Sequence, residues 1–374
     1  MTDSRKRKYR VAIIGCGRKG TQHARAYQLT PMTEVVAAAD TDSDNLQLFC
    51  KRFKVPGYSN YREMLVKERI DIAAPILPVK PNPEVVIGCA ESGVRGILCE
   101  KPIAASLADA DHMVDVCRSL GVKFASGDLD RNLPDYWKAR EIIDSGELGA
   151  VRSINLLSGS GMEWDIQGLS LTRLFAGDAN VAWVTGWMDG DAFSDDDQGE
   201  AGYIRFTNGV EAFRRRRKNA KMGIEVACTH GVFYTSYSHL SMWKAKSGVD
   251  RPNWGSLEKV RGVFKETSQY EGSGSYDADG WRWAGNRNLA SVQSIIDAIE
   301  NDVEPTGSGD NGRKCLEIAI AFRESHRRNH HPVRLPLKDR SLKIIPPMSR
   351  WLNKKETMSA EAYATSIGNW KKGE

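Results

Sequence analysis

The chain has 374 residues, a formal net charge of +5, 41% hydrophobic and 27% charged residues. That composition excludes intrinsic disorder, a collagen-like fibre and a disulfide-dense miniprotein, and the length suits two domains. The stretch Val226 to Trp243 carries no Asp, Glu, Lys or Arg but is rich in Thr, Ser, Tyr and His, so no membrane span is expected.

The N-terminus, Met1 to Arg10, is charged and runs straight into a strand, which reads as a solvated tail without a signal peptide. Its basic residues and a second basic run, Arg214 to Lys218, account for the positive excess; elsewhere acidic residues outnumber basic ones. Nucleic-acid binding calls for a basic stripe with interleaved aromatics, which is missing, so neither nucleic acid nor membrane is expected as a partner.

Tyr9 to Ile14 is a β-branched run of the kind that forms a buried parallel strand. It ends in Gly15-Cys16-Gly17-Arg18-Lys19-Gly20, and Thr21 to Tyr27 follows at helical spacing. This is G-x-G-x-x-G between a strand and a helix. Gly15 permits the tight turn, Gly17 the approach of a pyrophosphate and Gly20 close helix–strand packing. The context test for the motif is an acid ending a second strand about 20 residues on. Glu34 to Ala39 is such a strand and Asp40 ends it. A carboxylate there accepts the ribose hydroxyls of NAD and repels a 2′-phosphate, so NAD is favoured over NADP.

The alternation continues. Helices are expected at Arg62–Lys67, Glu84–Ser92, Leu107–Leu120 and Leu133–Asp144, and strands at Asp71–Ile76, Gly96–Cys99 and Val122–Ala125. Repeating β-α units of this length make a doubly wound parallel sheet. After Gly149, segments Val151–Leu157, Ala182–Trp187, Ala201–Phe206, Val210–Arg215, Gly223–Cys228 and Gly231–Thr235 read as antiparallel strands, followed by helices Leu289–Glu300 and Gly312–Arg327. The expected division is an NAD-binding Rossmann domain, 1–126, and a substrate-binding and oligomerisation domain, 127–374. All ten tryptophans lie after Tyr136, as suits two parts with different tasks. The seven cysteines form no Cys-x-x-Cys pair. No metal site or disulfide framework is therefore expected, and they read as small buried hydrophobes of a reducing cytoplasm.

Strand Gly96–Cys99 is followed by Glu100-Lys101-Pro102. A lysine at the carboxyl end of a strand in a dinucleotide fold sits where ligands bind, and its ammonium can hold a hydroxyl or neutralise an alkoxide. The glycine loop with His23, then Asp40, Pro78, Glu100-Lys101-Pro102, the Leu133–Gly149 segment and the late Pro332-Val333-Arg334-Leu335-Pro336-Leu337 together resemble the glucose-fructose oxidoreductase/inositol dehydrogenase/MocA (Gfo/Idh/MocA) family. The resemblance implies an α/β Rossmann domain and a C-terminal α+β domain with an open, mostly antiparallel sheet. It also implies NAD(P)-linked hydride chemistry on a sugar, cyclitol or related polyol, and homodimers or homotetramers built on the outer face of that sheet. The cofactor residues it implies are Gly15, Gly17, Arg18, Lys19, Gly20, Asp40, Pro78, Asn82, Glu100 and Lys101.

Two elements depart from the family pattern. The loop Pro78-Val79-Lys80-Pro81-Asn82 is altered, and so is the family's Gly-x-His-x-x-Asp element. With Arg173 and Gly177-Asp178 as anchors, Gln167 replaces the acid/base His and Ser170 the Asp. Shifting by two puts Leu169 there instead. Gln has no titratable proton. The candidate catalytic residues are thus Lys101, Gln167 and Asp165, with a tyrosine such as Tyr234, Tyr237 or Tyr276 as another source of a base. His230 and His239 lie outside any motif. Candidate substrate residues are Arg131, Asn132, Glu163, Trp281 and Arg282, the last two in a Gly-rich loop with Trp283, Asn286 and Arg287; aromatic faces stack on sugar rings and Arg grips anionic groups.

Three functions fit this pattern. The first is an NAD-dependent dehydrogenase acting on a ring hydroxyl of a sugar, glycoside or cyclitol, with Lys101 orienting or deprotonating it. The second is an NAD-dependent glycosidase working by transient C3 oxidation, elimination and re-reduction. The third is a non-catalytic nucleotide-binding regulator.

Overall fold

The computed structural model describes residues 8–128, 130–158, 166–193, 199–216, 223–236, 239–250, 252–264 and 285–344. The first sheet is built from β1 (Tyr9–Ile14), β2 (Thr33–Ala39), β3 (Gly57–Tyr58), β4 (Ile72–Pro75), β5 (Gly96–Cys99) and β6 (Lys123–Ser126), in the order β3-β2-β1-β4-β5-β6 with every pair parallel. Helices α1 (Arg18–Leu29), α2 (Ser43–Phe53), α3 (Tyr61–Lys67), α4 (Asn82–Glu91) and α5 (Leu107–Ser119) connect them. β4 and β5 are buried at every residue, which is why they read as continuous apolar runs rather than alternating ones. The strand order reverses between β1 and β4, and a ligand crevice opens at such a switch point, outside the carboxyl ends of the strands.

Helix α2 has no counterpart in the sequence reading. Its apolar stripe, Leu46, Phe49, Cys50 and Phe53 at helical spacing, packs against the first sheet's core, with only Phe49 fully buried. Its start is also defined, because the Asp42 side chain accepts from the amides of Asp44 and Asn45, both at 3.1 Å.

After α6 (Pro134–Asp144) the chain enters the second sheet. Its strands are β7 (Val151–Ser158), β8 (Val181–Met188), β9 (Glu200–Phe206), β10 (Glu211–Arg216), β11 (Gly223–Cys228), β12 (Gly231–Ser236), β13 (His239–Ala245), β14 (Leu257–Lys259) and β15 (Val333–Arg334). They run β14-β13-β12-β11-β7-β10-β9-β8-β15. The sheet is mostly antiparallel, as expected, but β7 and β10 pair in parallel, Ser153 facing Glu211 and Leu157 facing Arg215. The reason is topological. Helix α7 (Ile166–Phe175) carries the chain across from β7 to β8, and the meander β8-β9-β10 then returns to lie against β7. The element expected to carry the family's catalytic motif is therefore part of a crossover helix. Strands β13, β14 and β15 are additions to the sequence reading; β14 and β15 are only three and two residues long.

Helices α8 (Gly285–Asn301) and α9 (Gly309–Arg327) close the fold. Although it follows the second sheet in sequence, α8 packs on the first: Val292, Ile295, Ile296 and Ile299 share one buried cluster with Val11, Ile13, Leu98 and Ala125. The link between the two helices stays on that sheet, with Ser126 N donating to Gly307 O at 2.8 Å. Helix α9 covers the second sheet and buries Arg323 completely. Its Nη1 lies 2.9 Å from Oε2 of the equally buried Glu200, whose Oε1 is 3.1 Å from Arg214 Nε. Removing one partner from such a buried cluster leaves the remaining charge undercompensated. Arg323→Ala is expected to destabilise the protein by about 3–5 kcal/mol, read as a lowered urea midpoint; an unchanged midpoint would show that the pair contributes nothing net.

Candidate active site

The glycine loop leaves β1 with Gly15 at φ +98°, and a Cβ there would overlap the Ile76 carbonyl oxygen, while one at Gly20 would overlap that of Gly15. Both positions therefore exclude any other residue. At Gly17 nothing lies within 4 Å of the Cβ position. Helix α1 begins one residue later with no side-chain cap and no acidic residue in its first turn. Its N-terminal amides and the positive end of its dipole thus face the open side of Gly17, a setting for a pyrophosphate. Arg18 on that turn is exposed and Lys19 half-buried.

Asp40 sits at the end of β2. Its Oδ2 accepts Cys16 N at 2.6 Å and its Oδ1 accepts Asp42 N at 2.8 Å. Burial raises its pKa, against the lowering effect of those amides and Thr41 N. Each oxygen keeps a lone pair outside these bonds, so the carboxylate can accept ribose hydroxyls from a position locked to the glycine loop. Loop and carboxylate together fit NAD. Asp40→Ala is expected to weaken NADH binding about ten- to hundredfold, the loss of charge-assisted hydrogen bonds, in a fluorescence titration; unchanged affinity would remove Asp40 from the site.

The lysine turn follows β5 at the same edge of the sheet. Glu100 N donates to Pro75 O at 3.1 Å, and Lys101 N donates to Glu100 Oε2 at 2.8 Å. The Lys101–Pro102 peptide is cis. Asn82, 1% exposed, donates through Nδ2 to Glu100 O at 3.4 Å and Pro102 O at 3.2 Å, so it braces the turn from beneath. A Cβ at Gly127 would lie 2.6 Å from Lys101 N and overlap the Glu100 carboxylate; the end of β6 can close against the turn only with glycine there. Pro78 lies half-buried in the loop after β4. Burial pushes the Glu100 carboxyl upwards, but Lys19, His23, Lys101 and the Lys101 amide outweigh it and hold it below its ordinary value. Burial brings Lys19 down to about 8, helped by Arg287, Arg18 and Lys101 and opposed by Glu100. His23 is fully buried with neither ring nitrogen hydrogen-bonded, and burial first, then Lys19 and Arg287, bring it to about 4 against the pull of Glu100. It is neutral at neutral pH.

Beyond Gly127 a buried polar network joins the two domains. Arg131 is 4% exposed and donates to Thr306 O (2.7 Å), Ser170 O (3.0 Å) and Asp178 Oδ2 (2.6 Å). Asn132 donates to Asp128 O (2.7 Å) and Ser291 Oγ (3.0 Å) and accepts from Thr306 Oγ1. Both were expected to face substrate; the structure instead engages them in holding α7, α8 and the 306 loop together. Asp128 Oδ2 accepts from Ser170 Oγ and from Asn311 Nδ2 (3.2 Å). Burial raises its pKa to about 7, with Asp130 adding to the rise and the Ser170 hydroxyl and Arg131 opposing it.

Asp130 is 3% exposed. Arg287 Nη1 lies 3.2 Å from its Oδ1, and the side chain of Gln167 lies against both oxygens. A carboxylate only accepts, so the amide nitrogen of Gln167 faces it, at 2.5 and 2.8 Å. Gln167 and Ser170 thus project from one end of α7, one onto Asp130 and the other onto Asp128. Sequence reasoning missed Asp128, Asn311 and the Asp130–Gln167 pair. The visible signal was two acids, Asp128 and Asp130, directly after a buried strand. Glu163, Asp165, Trp281 and Arg282, with Trp283, Tyr237 and Tyr276, lie outside the described residues. Tyr234 is half-buried on β12, and His230 is exposed with its Nδ1 2.9 Å from Thr229 Oγ1. Among the described residues no group of His, Cys, Asp or Glu could hold a metal ion, and no helix is long and apolar enough to cross a membrane.

The raised Asp128 pKa has a defined sign. Between about pH 4 and 7 the native carboxyl keeps a proton that the unfolded chain releases, so stability falls as pH rises through that window. Asp128→Asn is expected to flatten this dependence, so that wild type loses more in urea midpoint from pH 5 to pH 8 than the variant; equal slopes would contradict it.

Sheet order, glycine loop, the acid that ends β2 and the lysine after β5 are those of a two-domain dinucleotide-binding oxidoreductase. Residues 9–128 match the model of an oxidoreductase family with an NAD-binding Rossmann fold. The myo-inositol 2-dehydrogenase of Thermotoga maritima is 24% identical over 347 residues, 84% of this chain and 96% of that protein. The D-apiose dehydrogenase of Paraburkholderia graminis is 32% identical over 144 residues, 38% of each chain. A levoglucosan dehydrogenase solved with NADH and levoglucosan superposes with a TM-score of 0.74 at 20% identity, covering 88% of this chain and all of that one, a likeness of fold. The chain is thus similar to the Gfo/Idh/MocA oxidoreductases, through its NAD-binding Rossmann segment over residues 9–128 and through its fold beyond it.

Proposed function

We propose that the protein is an NAD-dependent dehydrogenase acting on a ring hydroxyl of a sugar, glycoside or cyclitol. The observation that carries this reading is Lys101, held by Glu100, Asn82 and Gly127 at the sheet edge where the glycine loop opens. NAD, when bound, supplies the hydride acceptor. Lys101 Nζ hydrogen-bonds the reacting hydroxyl and, as the neutral amine, takes its proton. Gln167 has no proton to exchange and only orients. The relatives named for inositol and apiose support a polyol substrate. The outer face of the second sheet presents Trp183, Tyr203 and Phe213 as an aromatic row, ring centroids 5.0 and 5.2 Å apart, and Trp187 is 47% exposed. That face suits a homo-oligomer contact.

The test is incubation with NAD, a panel of sugars and cyclitols, and p-nitrophenyl glycosides. Net NADH formation that rises towards alkaline pH supports the dehydrogenase. Aglycone release without net NADH would instead establish the redox-assisted glycosidase. Lys101→Met is expected to lower kcat by about 10²–10⁴ while NADH still binds; turnover at the wild-type rate would overturn the assignment of Lys101.

A further inference from the structure

We infer that Asp130 is a positioning residue that locks the Gln167 amide with its nitrogen inward and its oxygen outward, so that the site demands a second hydroxyl on the substrate ring. The inference rests on the dehydrogenase reading for the identity of the substrate, but the lock itself is a property of the free protein.

The geometry carries it. A free glutamine amide rotates and offers a donor or an acceptor equally well. Here the amide nitrogen lies against the two oxygens of one buried carboxylate. Asp130 cannot turn away, because Arg287 pairs with Oδ1 from the start of α8 and the flanking residues Asp128, Arg131 and Asn132 are themselves bonded into α7, α9 and the 306 loop. Reversing the amide would set its oxygen against a carboxylate, a repulsive contact in a dry environment. The charge of Asp130 also polarises the amide, which strengthens Oε1 as an acceptor.

The lock adjoins the proposed reaction centre. Asp130 follows closely on Gly127, whose backbone lies against Lys101 N, and Arg287 stands within charge range of Lys19, which is in turn within range of Lys101. Two points of contact result, an amine at Lys101 and an acceptor-only oxygen at Gln167. A ring with one hydroxyl satisfies only the first. A polyol with a second, suitably placed hydroxyl satisfies both, whereas its deoxy analogue forgoes the second contact.

Two measurements on the full chain test this. In ¹⁵N-labelled protein without substrate, the Gln167 side-chain amide, assigned by its disappearance in Gln167→Met, is expected to be shifted from the position of exposed glutamines and slow to exchange. In Asp130→Asn it is expected to return towards that position. A Gln167 amide indistinguishable from exposed glutamines in wild type would overturn the lock. In kinetics, the best polyol of the panel is compared with its singly deoxygenated analogues. Wild type is expected to prefer the polyol over one analogue by at least about tenfold in kcat/KM, the weight of one such hydrogen bond. That ratio is expected to collapse in Asp130→Asn and in Gln167→Met, with NADH affinity unchanged. If both substrates lose rate equally in both variants, Asp130 is merely structural and the inference fails. If wild type oxidises nothing in the panel, the proposed function fails while the amide resonance still decides the lock.

Discussion

The contact between Gly127 and the Glu100-Lys101 turn is the constraint from which the site is organised. The end of β6 presses its backbone onto the end of β5, closely enough that a single Cβ would overlap the Glu100 carboxylate. That carboxylate already accepts the Lys101 amide, so the lysine backbone is gripped from within the turn and from the neighbouring strand. Asp128, Asp130 and the Arg131 anchor follow in the next few residues, because the chain leaves this contact directly into them.

The same contact explains how two domains share one site without a long linker. Arg131 reaches α7 and the 306 loop, Asn132 reaches α8, and Asp128 reaches α7 and α9. Helix α8 returns from the second sheet to pack its apolar stripe on the first. The crossover helix α7 is thereby held at both ends, by Arg131 and Asn311 on its inner face and by the sheet that it bridges. A loop carrying Gln167 would sample many orientations; a buried helix with Ser170 and Arg173 bonded beneath it presents one.

The electrostatics follow from crowding rather than from net charge. The net positive charge of the whole chain says little about the site. Within it, Lys19, Lys101 and Arg287 surround Glu100 and Asp130, and burial sharpens each interaction. Burial keeps His23 neutral beside these cations, and Asp128, starved of solvent, takes up a proton near neutrality. These opposite outcomes, a carboxyl raised and a histidine lowered, have one cause: both groups lose water before they gain enough partners.

The glycine loop, Asp40 and the Glu-Lys-Pro turn were legible in the residues alone, since each is a local backbone requirement at a set distance from a strand end. So was the parallel sheet, because buried strands are apolar throughout. Helix α2 was missed although Leu46, Phe49, Cys50 and Phe53 recur at helical spacing, and the parallel β7–β10 pair was not legible, since it depends on where a crossover lands. Arg131 and Asn132 show the limit most clearly: read as substrate-facing after a strand, they are met by Thr306, Asp178 and Ser291 from far along the chain. The pairing of Asp130 with Arg287, 157 residues away, and of Asp128 with Asn311, 183 away, was decided only by tertiary packing. Local spacing specifies which backbone conformations are possible, whereas the partner of a buried charge is whatever distant group the closing core places beside it.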